Sequence, residues 1–168
     1  MLYEVRRLSK DYKYSGEVEK DLLHLLYNQG YLPKPVVFST GNEPLYDAIH
    51  EDGSKTEVKI QTMPKLWIEI QQVDSRRDKG IRITEVDWYV MINQSPDGSK
   101  GVVRIHRTID IRNYIVSITE PSGRIKDVKA RYGMNCVVID PINIPHIVAG
   151  TMMYNPLHET YDSDTFTP

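Results

Sequence analysis

The chain alternates between two hydrophobic periods, and the switches between them outline its elements. Val18, Leu22, Leu25 and Leu26 recur at helical spacing, so the pattern predicts a helix over residues 15–30, started by Ser15 and Gly16 and closed by Gly30. Pro33 and Pro35 then force an extended connection through Val36, Val37 and Phe38. Strand-like runs follow at 45–50, 55–61 and 66–71. Residues 80–84 lead into a fourth run at 88–92, ended by the turn Ser95-Pro96-Asp97-Gly98, and 102–107 reads as a further strand. Thr108 is the expected N-cap of a second helix through Ile111, Ile115 and Ile118, stopped by Pro121, and 135–139 is a last apolar strand. The order helix, strands, helix, strand predicts an α/β fold, a mixed central sheet flanked by helices.

The most informative stretch is 45–60. Asp52-Gly53 is a strong hairpin signal, and two-residue loops are its commonest form. That loop would set Tyr46 opposite Lys59 and Ala48 opposite Glu57, mixing apolar and charged side chains on both faces. Adding Ser54 to the loop sets Tyr46 opposite Ile60, Ala48 opposite Val58 and His50 opposite Thr56. The apolar residues then share one face, and Asp47, Glu57 and Lys59 gather on the other. Because side chains alternate with period two, a slip of one residue reverses every face. The pattern therefore selects the three-residue loop Asp52-Gly53-Ser54.

In the next run Leu66, Ile68 and Ile70 point one way, and Trp67, Glu69 and Gln71 the other. If the strands are neighbours, Glu69 approaches the same polar face. Three carboxylates and a lysine beside a core are costly unless paired or metal-bound. A carboxylate donor set suits Mg2+ or Mn2+ better than zinc. The same pattern also suits an exposed sheet face carrying a cross-strand Asp–Lys pair worth under ~1 kcal/mol.

Length and composition narrow the setting. The 168 residues fit one domain, expected over 1–155, with 156–168 an acidic, flexible tail. A single cysteine, Cys136, forms no intrachain disulfide, and no run is apolar enough to span a bilayer or start as a signal peptide, so a cytoplasmic protein is expected. The formal net charge is −2, but Lys and Arg outnumber Asp and Glu by five over 100–131. Arg76, Arg77, Lys79 and Arg82 form a second basic patch. Such patches steer polyanions or are simply solvated. The five histidines show no paired metal spacing and read as surface or capping residues. Cys136, Trp67 and Trp88 read as packing residues. No Gly-rich phosphate loop is present, so no nucleotide cofactor is expected.

An aspartate on a strand, a short hairpin and then Glu57-Val58-Lys59 resembles the PD-(D/E)xK nuclease superfamily, which includes restriction enzymes and Holliday-junction resolvases. Lys79-Gly80-Ile81-Arg82-Ile83-Thr84-Glu85-Val86-Asp87-Trp88-Tyr89 is similar to that family's segment leading into its fourth core strand. Tyr46 stands where the motif's name has proline. The resemblance covers roughly residues 15–139 and implies a restriction-endonuclease-like αβββαβ core. It implies that Asp47, Glu57 and the Val58 carbonyl ligate Mg2+ or Mn2+, with Glu69 as a further candidate. Lys59 would orient the attacking water and stabilise charge on the phosphate. Glu19 matches the first-helix glutamate, Gln61 would reach the water or phosphate, and Thr84 and Asp87 would shape the edge of the site, although a capping role suits Thr84 as well. Arg76, Arg77, Lys79 and Arg82 would contact DNA. The implied activity is metal-dependent hydrolysis of DNA phosphodiester bonds by a metal-activated water, with a homodimer suited to cutting both strands. The alternatives are a nucleic-acid-binding or assembly protein that keeps the fold without catalysis, and an RNA-directed nuclease on the same scaffold.

Overall fold

The computed structural model describes residues 2–6, 12–39, 46–62, 64–96 and 100–155. The expected tail at 156–168, Leu45, and the Asp97-Gly98 part of the expected turn lie outside them. Among the described residues no helix is long and apolar enough to cross a membrane.

The fold is α/β. Helix α1 (Tyr12–Asn28) follows strand β1 (Leu2–Arg6) and is followed by β2 (Pro35–Phe38), β3 (Ala48–His50), β4 (Lys55–Gln61) and β5 (Leu66–Gln72). A 3-10 turn (Gly80–Arg82) leads to β6 (Trp88–Gln94), β7 (Lys100–Arg107) and α2 (Thr108–Ser117). Then come β8 (Val128–Arg131), β9 (Met134–Ile139), a 3-10 turn (Pro141–Asn143) and β10 (Ile147–Asn155). Seven strands form a mixed sheet in the order β1-β10-β7-β6-β4-β3-β2, and β5-β9-β8 form a separate small sheet. Strand β4 runs antiparallel to β3 and parallel to β6.

Two cores sit on opposite faces of the large sheet. Leu22, Leu23 and Leu26 of α1 bury Val58, Val90 and Ile105 on one side. Ile68 and Val137 of the small sheet, with Ile111 of α2, bury Tyr89 and Met91 on the other. Covered on both faces, β6 is apolar almost without interruption, whereas β4 alternates because its second face carries Glu57, Lys59 and Gln61.

Several sequence expectations need correction. The hairpin loop has three residues, but they are Glu51, Asp52 and Gly53: Ala48 pairs with Thr56, Ile49 with Lys55, and the His50 N–H donates to the Ser54 carbonyl at 2.8 Å. Ser54 is held out of the loop because the Asp52 carboxylate accepts its N–H at 2.9 Å and its hydroxyl at 2.6 Å. The displacement keeps the face parity, so Ala48, His50, Thr56 and Val58 are all buried. It brings Asp47 beside Glu57 and Val58 rather than opposite Lys59.

The run at 66–71 is a strand, but it leaves the large sheet to pair with β9. Pro35 and the residues after it form β2 rather than a mere connection; with no N–H, Pro35 begins a strand at the edge of the sheet. Helix α1 starts before Ser15, and Arg107, not Thr108, occupies the N-cap position of α2; its side chain caps no backbone N–H and instead bonds Asp110 at 2.8 and 2.9 Å. His50 and His106 are core residues rather than surface ones. His50 Nδ1 donates to the Pro33 carbonyl at 2.7 Å, which leaves Nε2 to accept from the Thr56 hydroxyl. Strands β1, β8 and β10 carry no signal that the periodicity had detected.

Candidate active site

The hairpin delivers the first three side chains. Asp47 precedes β3, where its own N–H donates to the Thr56 carbonyl, and its Oδ2 accepts the Val58 N–H at 2.6 Å. Glu57 and Lys59, two apart on β4, emerge on one face, and Lys59 Nζ lies 2.6 Å from Glu57 Oε1. Glu19 enters from α1. Burial first, and then the charges of Asp47 and Glu57, push its carboxyl up to about 7 against the pull of Lys59. Asp47 is also raised, chiefly by burial and then by Glu57, although the Val58 N–H and Lys59 hold it down. Burial works against the charge on Lys59, but Glu57, Glu69 and Asp47 more than compensate and keep its ammonium above the usual lysine range.

Glu69 reaches this field from a different sheet. Gly80, at φ +50, lies so close to β5 that a Cβ there would stand 2.8 Å from the Glu69 Cβ. That contact docks the segment before β6 against Glu69. Both residues line a cleft of about 510 Å³ that also takes in Lys59, Trp67, Tyr132 and Cys136. Cys136 is buried as expected, and its thiol is pushed up by burial and by Glu69.

Other expected site residues hold the scaffold. Gln61 spends its amide on the next strand: Nε2 donates to the Trp67 carbonyl at 2.9 Å, and Oε1 accepts the Trp67 N–H at 3.0 Å. It is thus a clamp between β4 and β5, set in the wall of the cleft. Asp87 accepts the Lys55 N–H at 2.9 Å, tying the start of β6 to β4. Thr84 caps no helix; its hydroxyl accepts the Val86 N–H at 3.2 Å. Arg76, Arg77, Lys79 and Arg82 lie between β5 and β6, with Arg82 paired to Asp78 at 2.9 Å.

Tyr89 is a site residue that the sequence pattern did not single out. The parallel register places it level with Glu57, and its hydroxyl lies within reach of Glu57 and Thr84. Burial and the Glu57 charge raise its pKa, so it is a neutral donor that can fix the Glu57 carboxylate. Its position beside the Asp87-Trp88 pair was the available signal. Arg131 and Tyr132, at the mouth of the cleft, had none.

A small hard cation fits the donor set: Asp47, just before β3, and Glu57 of β4 are two carboxylates of one hairpin, and Mg2+ is commonly held by one or two carboxylates with water completing its shell. Burial first, and then repulsion among the neighbouring carboxylates, raises Glu19 and Asp47 at the same place, against the pull of Lys59. Among the described residues no group of three His, Cys, Asp or Glu side chains stands close enough to enclose a metal. No protein-family model matches the chain, and no curated protein is found to match it.

Proposed function

We propose that this protein is a metal-dependent DNA endonuclease of the PD-(D/E)xK type. The observation that carries the reading is the convergence of Asp47, Glu57 and Lys59 at one hairpin, with Asp47 anchored to the Val58 N–H between the other two. The arrangement of α1, the antiparallel run β2-β3-β4 and the parallel strand β6 supports a restriction-endonuclease-like core. The crossover from β4 to β6 is made by β5 and a 3-10 turn where that core would have a helix.

Phosphodiester hydrolysis needs a nucleophile aligned with the scissile bond and positive charge where negative charge grows. Asp47 and Glu57, with the Val58 carbonyl, would hold Mg2+ or Mn2+, whose chemistry there is to acidify water and polarise the phosphate. Lys59 supplies a fixed ammonium at the same face, and one such donor is typically worth ~3 kcal/mol of barrier. Tyr89 restrains the Glu57 carboxylate, and Glu19 adds negative charge that favours cation entry. Double-strand cutting by one such site per chain would use a homodimer.

The test is cleavage of supercoiled, linear and branched DNA with Mg2+, Mn2+ or EDTA, comparing the wild type with Lys59→Ala. Metal-dependent cleavage that falls about 100- to 1000-fold in the variant is the expected result. The Glu57–Lys59 ion pair, closed on itself at 2.6 Å, favours a second reading: a DNA-binding protein without catalysis. DNA binding with no cleavage and no metal-induced rise in Tm would establish that reading and sink the first.

A further inference from the structure

The cleft beside Lys59 has a wall that hydrolysis does not use. Arg131 of β8 pairs with Met134 of β9, which leaves Tyr132 and Gly133 as a two-residue turn. Both have positive φ, +50 and +74, the backbone of a turn whose central positions favour Asn, Asp and Gly. A tyrosine is strained there by its Cβ. Its side chain is 88% exposed, so neither the turn nor a core accounts for the ring.

The Arg131 guanidinium lies over two rings, 5.4 Å from the centroid of Trp67 and 4.8 Å from that of Tyr132. The hairpin tip is fixed: Gly133 accepts the Val73 N–H at 2.9 Å, and Met134 pairs with Gln72. Gln72 also anchors the basic loop, because its N–H donates to the Arg77 carbonyl and its carbonyl accepts the Arg76 N–H. Two aromatic rings and a stacked guanidinium thus line one cleft, and the loop carrying the exposed Arg76 and Arg77 is tied to the same strand end through Gln72.

We propose that Trp67, Arg131 and Tyr132 stack an unpaired nucleobase of the DNA strand bound at Lys59, while Arg76 and Arg77 hold neighbouring phosphates. In a duplex both faces of each base are covered by its neighbours, so only an unpaired nucleotide offers a face to an aromatic platform. Stacking on aromatic side chains with a basic track for the backbone is the general solution for single strands, and it accepts any base. The cleft volume, about 510 Å³, is that of a small-ligand site. The substrate class is therefore DNA with unpaired nucleotides beside the cut, either single-stranded or branched. This rests on the nuclease reading for the position of the cut, but binding at the platform does not require catalysis.

The experiment measures fluorescence anisotropy in EDTA with a labelled short single strand, its duplex and an abasic strand of the same length. A Trp88→Phe background leaves Trp67 as the sole tryptophan reporter. The single strand should bind about tenfold or more tighter than the duplex or abasic strand and quench Trp67. Tyr132→Asn, which suits the turn, should weaken single-strand binding about tenfold while Tm holds or rises. Equal binding of the abasic strand, or no effect of Tyr132→Asn, overturns the platform even if Lys59-dependent cleavage persists. Base-dependent binding in EDTA, with no cleavage of the same strands in Mg2+ or Mn2+, supports the platform and overturns the nuclease reading.

Discussion

The carboxylate of Asp47 accepts the backbone N–H of Val58 at 2.6 Å, so a side chain replaces the carbonyl that a longer β3 would have offered to β4. The bond fixes the aspartate beside Glu57 and draws the end of β3 toward the site.

Asp47→Asn should separate these two roles. The amide oxygen of asparagine still accepts the Val58 N–H, and loss of a buried charge relieves repulsion from Glu57 and Glu19. In EDTA the variant should melt no lower than the wild type. The Tm rise on adding Mn2+ and the cleavage activity should both disappear. A variant that melts lower in EDTA yet retains the Mn2+ response would show that the aspartate is structural.

Glu19, raised to about 7 in the folded protein, gives an unusual pH dependence. Between its ordinary value of 4.5 and about 7 the folded state binds more protons than the unfolded state, so stability falls as pH rises through that window. Glu19→Gln should flatten that fall and stabilise the metal-free protein above neutrality by about 1–2 kcal/mol, allowing for solvent screening. Melting curves from acid to mild alkali in EDTA would show it. An unchanged slope would mean that Glu19 is not in the shared field.

His106 titrates in the opposite sense. Burial, and then His146 nearby, lower its pKa to about 4, so between about 6.5 and 4 the unfolded chain takes up protons that the folded one refuses. Stability is full above that window and is lost on acidification, by about 3 kcal/mol. His106→Leu should remove this acid limb of the melting profile while leaving cleavage at neutral pH intact.

Gly80→Ala tests the docking of the segment before β6 against Glu69. The added Cβ meets the Glu69 Cβ at 2.8 Å on a backbone at φ +50, so both contact and conformation oppose it. The expected cost is about 3 kcal/mol, read as a Tm lowered by roughly 6–12 °C. A variant as stable as the wild type would mean that the two segments are not in contact.

Much of the candidate site was legible in the hairpin. Face parity there survives the displaced loop, since the observed and expected registers differ by an even step. Burial of Ala48 and Val58 therefore still leaves Glu57 and Lys59 together on the other face. Glu69 was expected at the same polar face as a neighbour within one sheet, whereas it reaches Lys59 from the other sheet. Gln61 looked available to a substrate because nothing local showed that Trp67 would occupy its amide.

The sequence by itself determined the periods: one strong helix, alternating strands, a tight hairpin and the side of each strand that faces water, because these depend on residues a few places apart. Tertiary structure decided what lies against what. It placed β5 with β9 rather than β4, closed the large sheet with β1 and β10, and set Tyr89 level with Glu57. It also carried the Arg131–Tyr132 tip to the mouth of the cleft. Those pairings join segments tens of residues apart, where many partners satisfy the same local pattern, and only the simultaneous burial of both faces of the sheet selects among them.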